Sequence, residues 1–237
     1  MAGPLQIVAW DLETSNLRAN VGCILCMGYQ AVGQQRPKVI SAADFPLYDT
    51  DPTNDREVVK AARKVLADAD AWLTWYGARF DVPFFNTRLL FHRLPPLPPI
   101  THIDAWRTAR YKMKLTSNRL KTVSEFLDIE EKTPILFKHW LRAMAGHRPS
   151  LRYIEKHCRQ DITVLIQAYE RLKPWIEKHP NQNLYDGLGC PTCGSARMVK
   201  RGEHVSLTRT YQRFQCMACG AWSRQAKSED RTDMRGF

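Results

Sequence analysis

Two sets of side chains in this 237-residue sequence are spaced for chemistry. Asp11 and Glu13 lie two apart at the end of an apolar segment, and on a strand such side chains point to the same face. Like charges placed together cost stability unless a cation compensates, and hard oxygen donors suit Mg²⁺ or Mn²⁺. The second set is Cys190, Cys193, Cys216 and Cys219, two CxxCG pairs separated by 22 residues. Each glycine allows a tight turn, and four thiolates close a tetrahedral Zn²⁺ site with no open position, so this zinc is structural.

The elements that must carry these groups follow from periodicity. Residues 5–13 alternate, with Ile7, Ala9, Asp11 and Glu13 on one face and Val8, Trp10 and Leu12 on the other, as in a strand. Apolar runs at 22–31 and 38–43, separated by a turn at 33–37, complete an antiparallel three-stranded meander. Helical spacing predicts a helix over 54–69, capped by Thr53 or Asn54, and a strand over 71–76. A helix follows Asp81 through Leu90, and the proline-rich stretch 94–100 is a rigid extended connection. Further helices are expected at 104–112, with Asp104 as its cap, at 117–127 and at 134–144. A long amphipathic helix covers 150–172, with Ile162, Leu165, Ile166, Tyr169 and Leu172 on its apolar stripe. His157 and Asp161 share one face of it, because four residues turn a helix by about 400°. Cys23 and Cys26 read as buried thiols, and the remaining histidines as core or surface residues.

Order and spacing of three segments add a family resemblance. The sequence has D-L-E at 11–13, then WYGARFDVPFFNTR at 75–88, then HCRQD at 157–161. These resemble the three motifs of the DEDD, or DnaQ-like, 3′–5′ exonucleases of the ribonuclease H-like fold. The stretch from Ile103 to Ile129 is similar to exonucleases related to family-B polymerase proofreading domains. The resemblance covers roughly residues 5–173 and implies an α/β fold, a mixed sheet flanked by helices. It makes Asp11, Glu13, Asp81 and Asp161 the ligands of two Mg²⁺ or Mn²⁺ ions in a phosphodiester hydrolase, and His157 the general base. His157 departs from both usual patterns, since one subgroup has Tyr four residues before the last aspartate and the other has His five before it. Tyr76 stands where related domains often have Asn, so Tyr76 and Phe80 are candidate contacts to the terminal nucleotide.

Composition agrees with a nucleic-acid partner. A net charge of +11 favours a polyanion, and 44% hydrophobic with 25% charged residues is ordinary globular usage. Between and beyond the cysteine pairs, Arg197, Lys200, Arg201, Arg209 and Arg213 interleave with Tyr211, Phe214 and Trp222. Cations for phosphates and rings for bases suit single-stranded nucleic acid, and docking on protein is the alternative. The expected organisation is an exonuclease domain over 1–178, a linker over 179–185, a zinc ribbon over 186–226 and a flexible tail over 227–237. DNA is favoured over RNA as substrate, with a polymerase or repair partner acting in trans and a non-catalytic binding factor as rival readings. No secretory signal or membrane span is read, so a cytoplasmic protein is expected, or one in host cytoplasm if viral.

Overall fold

Strand β1 (Ile7–Thr14) buries Ile7 and Ala9 on one face and Val8, Trp10 and Leu12 on the other. A strand apolar on both faces belongs inside a covered sheet. In the computed structural model, β1 is the central strand of five. Residues 5–129, 135–184, 187, 189–229 and 231–232 are described. The start of the helix expected at 134–144, part of the linker and the end of the tail lie outside them.

The chain divides into two compact units, Gln6–Arg171 and a smaller one that begins at Leu172. In the larger unit, β2 (Ile24–Ala31) and β3 (Lys38–Ser41) continue antiparallel from β1, while β4 (Ala71–Thr74) and β5 (Thr101–Asp104) lie parallel on its other side. The sheet order is β3-β2-β1-β4-β5, and the α/β class with an antiparallel first half is as expected. Helices α1 (Arg56–Ala67), α2 (Asp81–Phe91), α3 (Ala105–Lys112), α4 (Leu120–Phe126), α5 (Lys138–Met144) and α6 (Arg148–Leu172) accompany it. Leu151, Ile154, Cys158, Ile162, Leu165 and Tyr169 form the buried stripe of α6, with Ile166 only partly covered.

Four expectations need correction. β3 stops at Ser41 because its hydroxyl accepts from the Ala43 amide and Asp44 returns a bond to the Ser41 amide, a capping box that starts a 3₁₀ turn. Neither Thr53 nor Asn54 holds the cap position of α1, although Asn54 Oδ1 accepts the amide of its first residue, Arg56, at 3.3 Å. Asp55 occupies that place, and its buried carboxylate instead takes the Ile24 amide at 2.8 Å and a two-point bond from Arg88 of α2, with His92 beside it. β5 was not expected, since four residues after a proline run carry too little pattern. Asp104 sits at the cap position of α3, but its side chain makes no cap bond. Among the described residues no helix is long and apolar enough to cross a membrane.

The Asp55–Arg88 pair ties α2 to the start of β2, and Arg88 also donates to the Ala19 carbonyl. Both side chains are almost fully buried, so removing one leaves an uncompensated charge. Asp55→Ala is expected to lower the unfolding free energy by about 3–5 kcal/mol in urea titrations. A loss below about 1 kcal/mol would show that the guanidinium finds water or another partner.

Candidate active site

Strand β1 pairs with β4 only through Ala9, so beyond that point one edge of β1 is released from the ladder. Asp81, the first residue of α2, uses that edge: its Oδ1 accepts the Leu12 amide at 3.1 Å. Leu12 lies between Asp11 and Glu13, so this bond sets the carboxylate of α2 beside those of β1. A bulge between Glu13 and Thr14 marks the same end of the strand. Asp81 is 3% exposed. Burial first of all, opposed by the Leu12 and Asp81 amides and reinforced by Asp104, pushes its carboxyl up to about 7. Such a group keeps its charge more readily when a cation stands close.

Helix α6 supplies the opposite wall. Gly28 pairs with Asp11 across β1 and β2, and a Cβ there would come 2.8 Å from Cys158 Sγ and 3.1 Å from the Cys158 carbonyl. Only glycine lets the helix rest this close. One consequence is that ligand atoms of Glu13, His157 and Asp161 all lie within 4.8 Å of one another, with His157 Nε2 3.7 Å from Asp161 Oδ2. Asp11, Glu13 and Cys158 form a second group of that size. Glu13 belongs to both. Asp81 is in neither group and is joined through Leu12. Cys26, opposite Glu13 in register, is buried, and the Cys158 thiol reaches the Asp11 carbonyl at 3.9 Å. The carboxylate oxygens and one imidazole suit divalent cations, and the buried Cys158 thiol, its pKa raised by its neighbours and by burial, stays a neutral neighbour to them.

The turn before Asp81 is held from β5. Asp104 accepts the Tyr76 amide at 2.8 Å and the Ala78 amide at 3.1 Å. Its carboxylate therefore organises the motif rather than a helix end. Gly77 is required here, because a Cβ would meet the Thr74 side chain at 2.4 Å. Tyr76 points out of this turn and is half exposed, while Phe80 packs on Phe84 at 5.7 Å and is partly buried against the core. Gly28, Cys158 and the clamp from Asp104 escaped sequence reading. The only signal for Gly28 was a glycine inside an apolar strand, which marks a bulge or a close approach.

In the smaller unit, β6 (Met198–Val205), β7 (Thr210–Cys216) and β8 (Trp222–Arg224) form an antiparallel sheet. The four cysteines converge, with Sγ–Sγ separations of 3.8 Å for Cys190–Cys219 and 3.7 Å for Cys193–Cys216. A Zn–S bond of about 2.3 Å in a tetrahedron requires ~3.8 Å between sulfurs, so the cluster fits zinc. Gly194 and Gly220 adopt matching φ values of 79° and 78°, and each amide bonds back to the first cysteine of its pair. Asn183, inside the expected linker, donates to the Cys190 carbonyl and so packs against the first knuckle. Arg224 lies 3.7 Å over the Tyr211 ring and Arg213 5.0 Å over Trp222. Arg197, Lys200, Arg201 and Arg209 are exposed, and Phe214 is partly covered.

A central strand ending in paired carboxylates, with a long helix bringing a third, is the frame of a ribonuclease H-like domain. A family model of the RNase H superfamily matches residues 8–173, and the chain belongs to that superfamily. Among solved structures, the fold is similar to the family B DNA polymerase from the hyperthermophilic archaeon Pyrobaculum calidifontis, with a TM-score of 0.58 and 16% identity. The match covers 73% of this chain and 25% of that polymerase, so the chain corresponds to a quarter of its length. No curated protein sequence matches.

The cysteine geometry leads to a direct expectation. The purified protein should carry one zinc per chain, and Cys190→Ser with Cys216→Ser should abolish it. Because so small a sheet has little core, amide-exchange protection in β6 to β8 should fall with the metal. Full protection in the zinc-free variant would contradict a metal-dependent fold.

Proposed function

We propose that the larger unit is a metal-dependent 3′–5′ exonuclease that hydrolyses the terminal phosphodiester of DNA, single-stranded ends foremost. The observation that carries this reading is the position of Glu13, shared between one group with Asp11 and Cys158 and another with His157 and Asp161. Two adjacent donor sets sharing a carboxylate are suited to a pair of divalent cations. Asp11, Glu13, Asp81 and Asp161 would hold them, and the ions would supply water activation and charge neutralisation at the departing oxygen. His157, one helical turn before Asp161, would take the proton of the attacking water at Nε2, the ring nitrogen that faces the carboxylates. The new P–O bond forms in line with the breaking bond to the 3′ oxygen, which then takes a proton from solvent. A nucleoside 5′-monophosphate leaves.

DNA is preferred over RNA because of the similarity to a DNA polymerase fold, and RNA is the alternative substrate. The same similarity suggests a polymerase or repair partner. The ribbon supports the reading through its exposed cations and the exposed Trp222 ring beside Arg213, which suit retention of a single strand, whereas Tyr211 is buried beneath Arg224 and offers no face to a base.

End-labelled oligonucleotides test this directly. With Mg²⁺ or Mn²⁺ the protein should shorten single strands stepwise from the 3′ end. His157→Ala should slow single-turnover cleavage roughly 10²–10⁴-fold while retaining oligonucleotide binding. Asp161→Asn should remove most activity without changing the melting temperature by more than a few degrees. An alanine variant within about threefold of wild type would exclude His157 as the base, and internal cleavage would exclude an exonuclease.

A further inference from the structure

Between α2 and β5 the chain runs Arg93-Leu-Pro-Pro-Leu-Pro-Pro99, and residues 94–100 form neither helix nor strand. Each proline fixes φ near about −65°, and each residue before a proline is driven to an extended ψ, so the run is held in the polyproline II form. That form has three residues per turn. Leu94, Leu97 and Ile100 accordingly share one edge and pack against the core, while Pro95, Pro96, Pro98 and Pro99 are exposed. Arg63 of α1 locks the segment, donating to the Pro95 carbonyl at 2.7 Å and to the Pro96 carbonyl at 3.1 Å. The end of α2 is also unusual. The Leu94 amide bonds to the Leu89 carbonyl and the Arg93 amide to the Leu90 carbonyl, a Schellman turn whose left-handed position ordinarily holds glycine. Here it holds Arg93, at φ 55°. The Arg93 side chain is exposed, and among the described residues it forms no ion pair. A cation kept where glycine would be easier calls for a use beyond the turn. Leu90 and Phe91, just before it, are 79% and 64% exposed.

Joining two elements requires an extended chain and the inward Leu94, Leu97 and Ile100, but not two proline pairs turned to solvent. We propose that residues 93–99 are a docking segment for a partner protein whose groove is lined by aromatic rings and bordered by carboxylates. Pro95-Pro96 and Pro98-Pro99 enter the clefts between the rings, and Arg93, three residues before Pro96 as Pro96 is before Pro99, meets the acids. Because the segment is already fixed by Arg63 and by its own prolines, little entropy is lost on binding. A nucleic acid would use the cation but not the row of proline rings. Asp81 stands at the other end of α2, eleven residues or about 16 Å away, so the inference does not rest on the exonuclease reading.

The test uses the full-length protein and, as probe, a purified isotope-labelled SH3 domain with an acidic loop beside its aromatic groove. On titration the probe's groove and acidic-loop amides should shift, with a Kd in the micromolar range. Pro96→Ala combined with Pro99→Ala, and separately Arg93→Glu, should each weaken binding by about tenfold or more, with melting temperatures within a few degrees of wild type. Arg93→Gly separates the two roles of that position. Glycine suits the left-handed turn, so the melting temperature should rise while probe binding falls. No shift at millimolar probe, or unchanged binding in these variants, would overturn the docking segment. So would sedimentation showing a dimer of this chain that the proline variant dissociates, since the occupant would then be a second copy. Arg93→Glu that loses oligonucleotide affinity but keeps the probe would likewise overturn it and assign the cation to nucleic acid.

Discussion

Carboxylates gathered at the end of one strand repel one another, and little water is available there to screen them. Glu13 and Asp81 are buried, and Asp11 and Asp161 are partly so. The larger unit is arranged around this unfavourable concentration of charge. The Leu12 amide binds Asp81, and the free edge of β1 past Ala9 leaves that amide available. Gly28 brings α6 into contact with β2, so Asp161 and His157 arrive at Glu13. Each device draws the acids closer, although electrostatics alone would push them apart. Such a design is stable only with compensation, and divalent cations are the compensation these donors fit.

The supporting contacts show the same economy of scarce polar groups. Two carboxylates that occupy helix-start positions, Asp55 and Asp104, are drawn away from capping. Asp55 joins α2 to β2 from behind the sheet, and Asp104 fixes the turn that delivers Asp81. Motif residues are held by a ring of bonds that runs through strands, helix and turn. The ribbon solves a different problem. Strand alternation and register place Tyr211, Arg213, Trp222 and Arg224 on one face of its sheet, cations against rings. A metal held by the four cysteines would replace the apolar core that so short a segment cannot build.

What the sequence disclosed depended on whether a signal was local. The D-x-E pair sits on a strand whose alternation is plain, and the stripe of α6 repeats over many turns. Both were legible. The paired cysteines were legible because knuckle spacing is itself the geometry. Asp55 carried no local signal, since its partners Arg88 and Ile24 lie far along the chain. Asp104 looked like a cap because cap position and cap bond cannot be told apart without the neighbouring turn. Gly28 explained nothing until α6 was seen against it. In each case a contact between distant segments overrode a local preference, as happens where a site rather than a propensity is being served.

The central claim is that the carboxylate cluster is a place for divalent cations, and metal binding tests it without relying on turnover. Zinc-loaded protein should be titrated with Mn²⁺ while the electron paramagnetic resonance signal of free ion is followed. The account predicts about two bound ions per chain, and loss of both sites in Glu13→Gln, because Glu13 belongs to both donor groups. Absence of bound Mn²⁺ at millimolar concentration, or binding unchanged in Glu13→Gln, would contradict it.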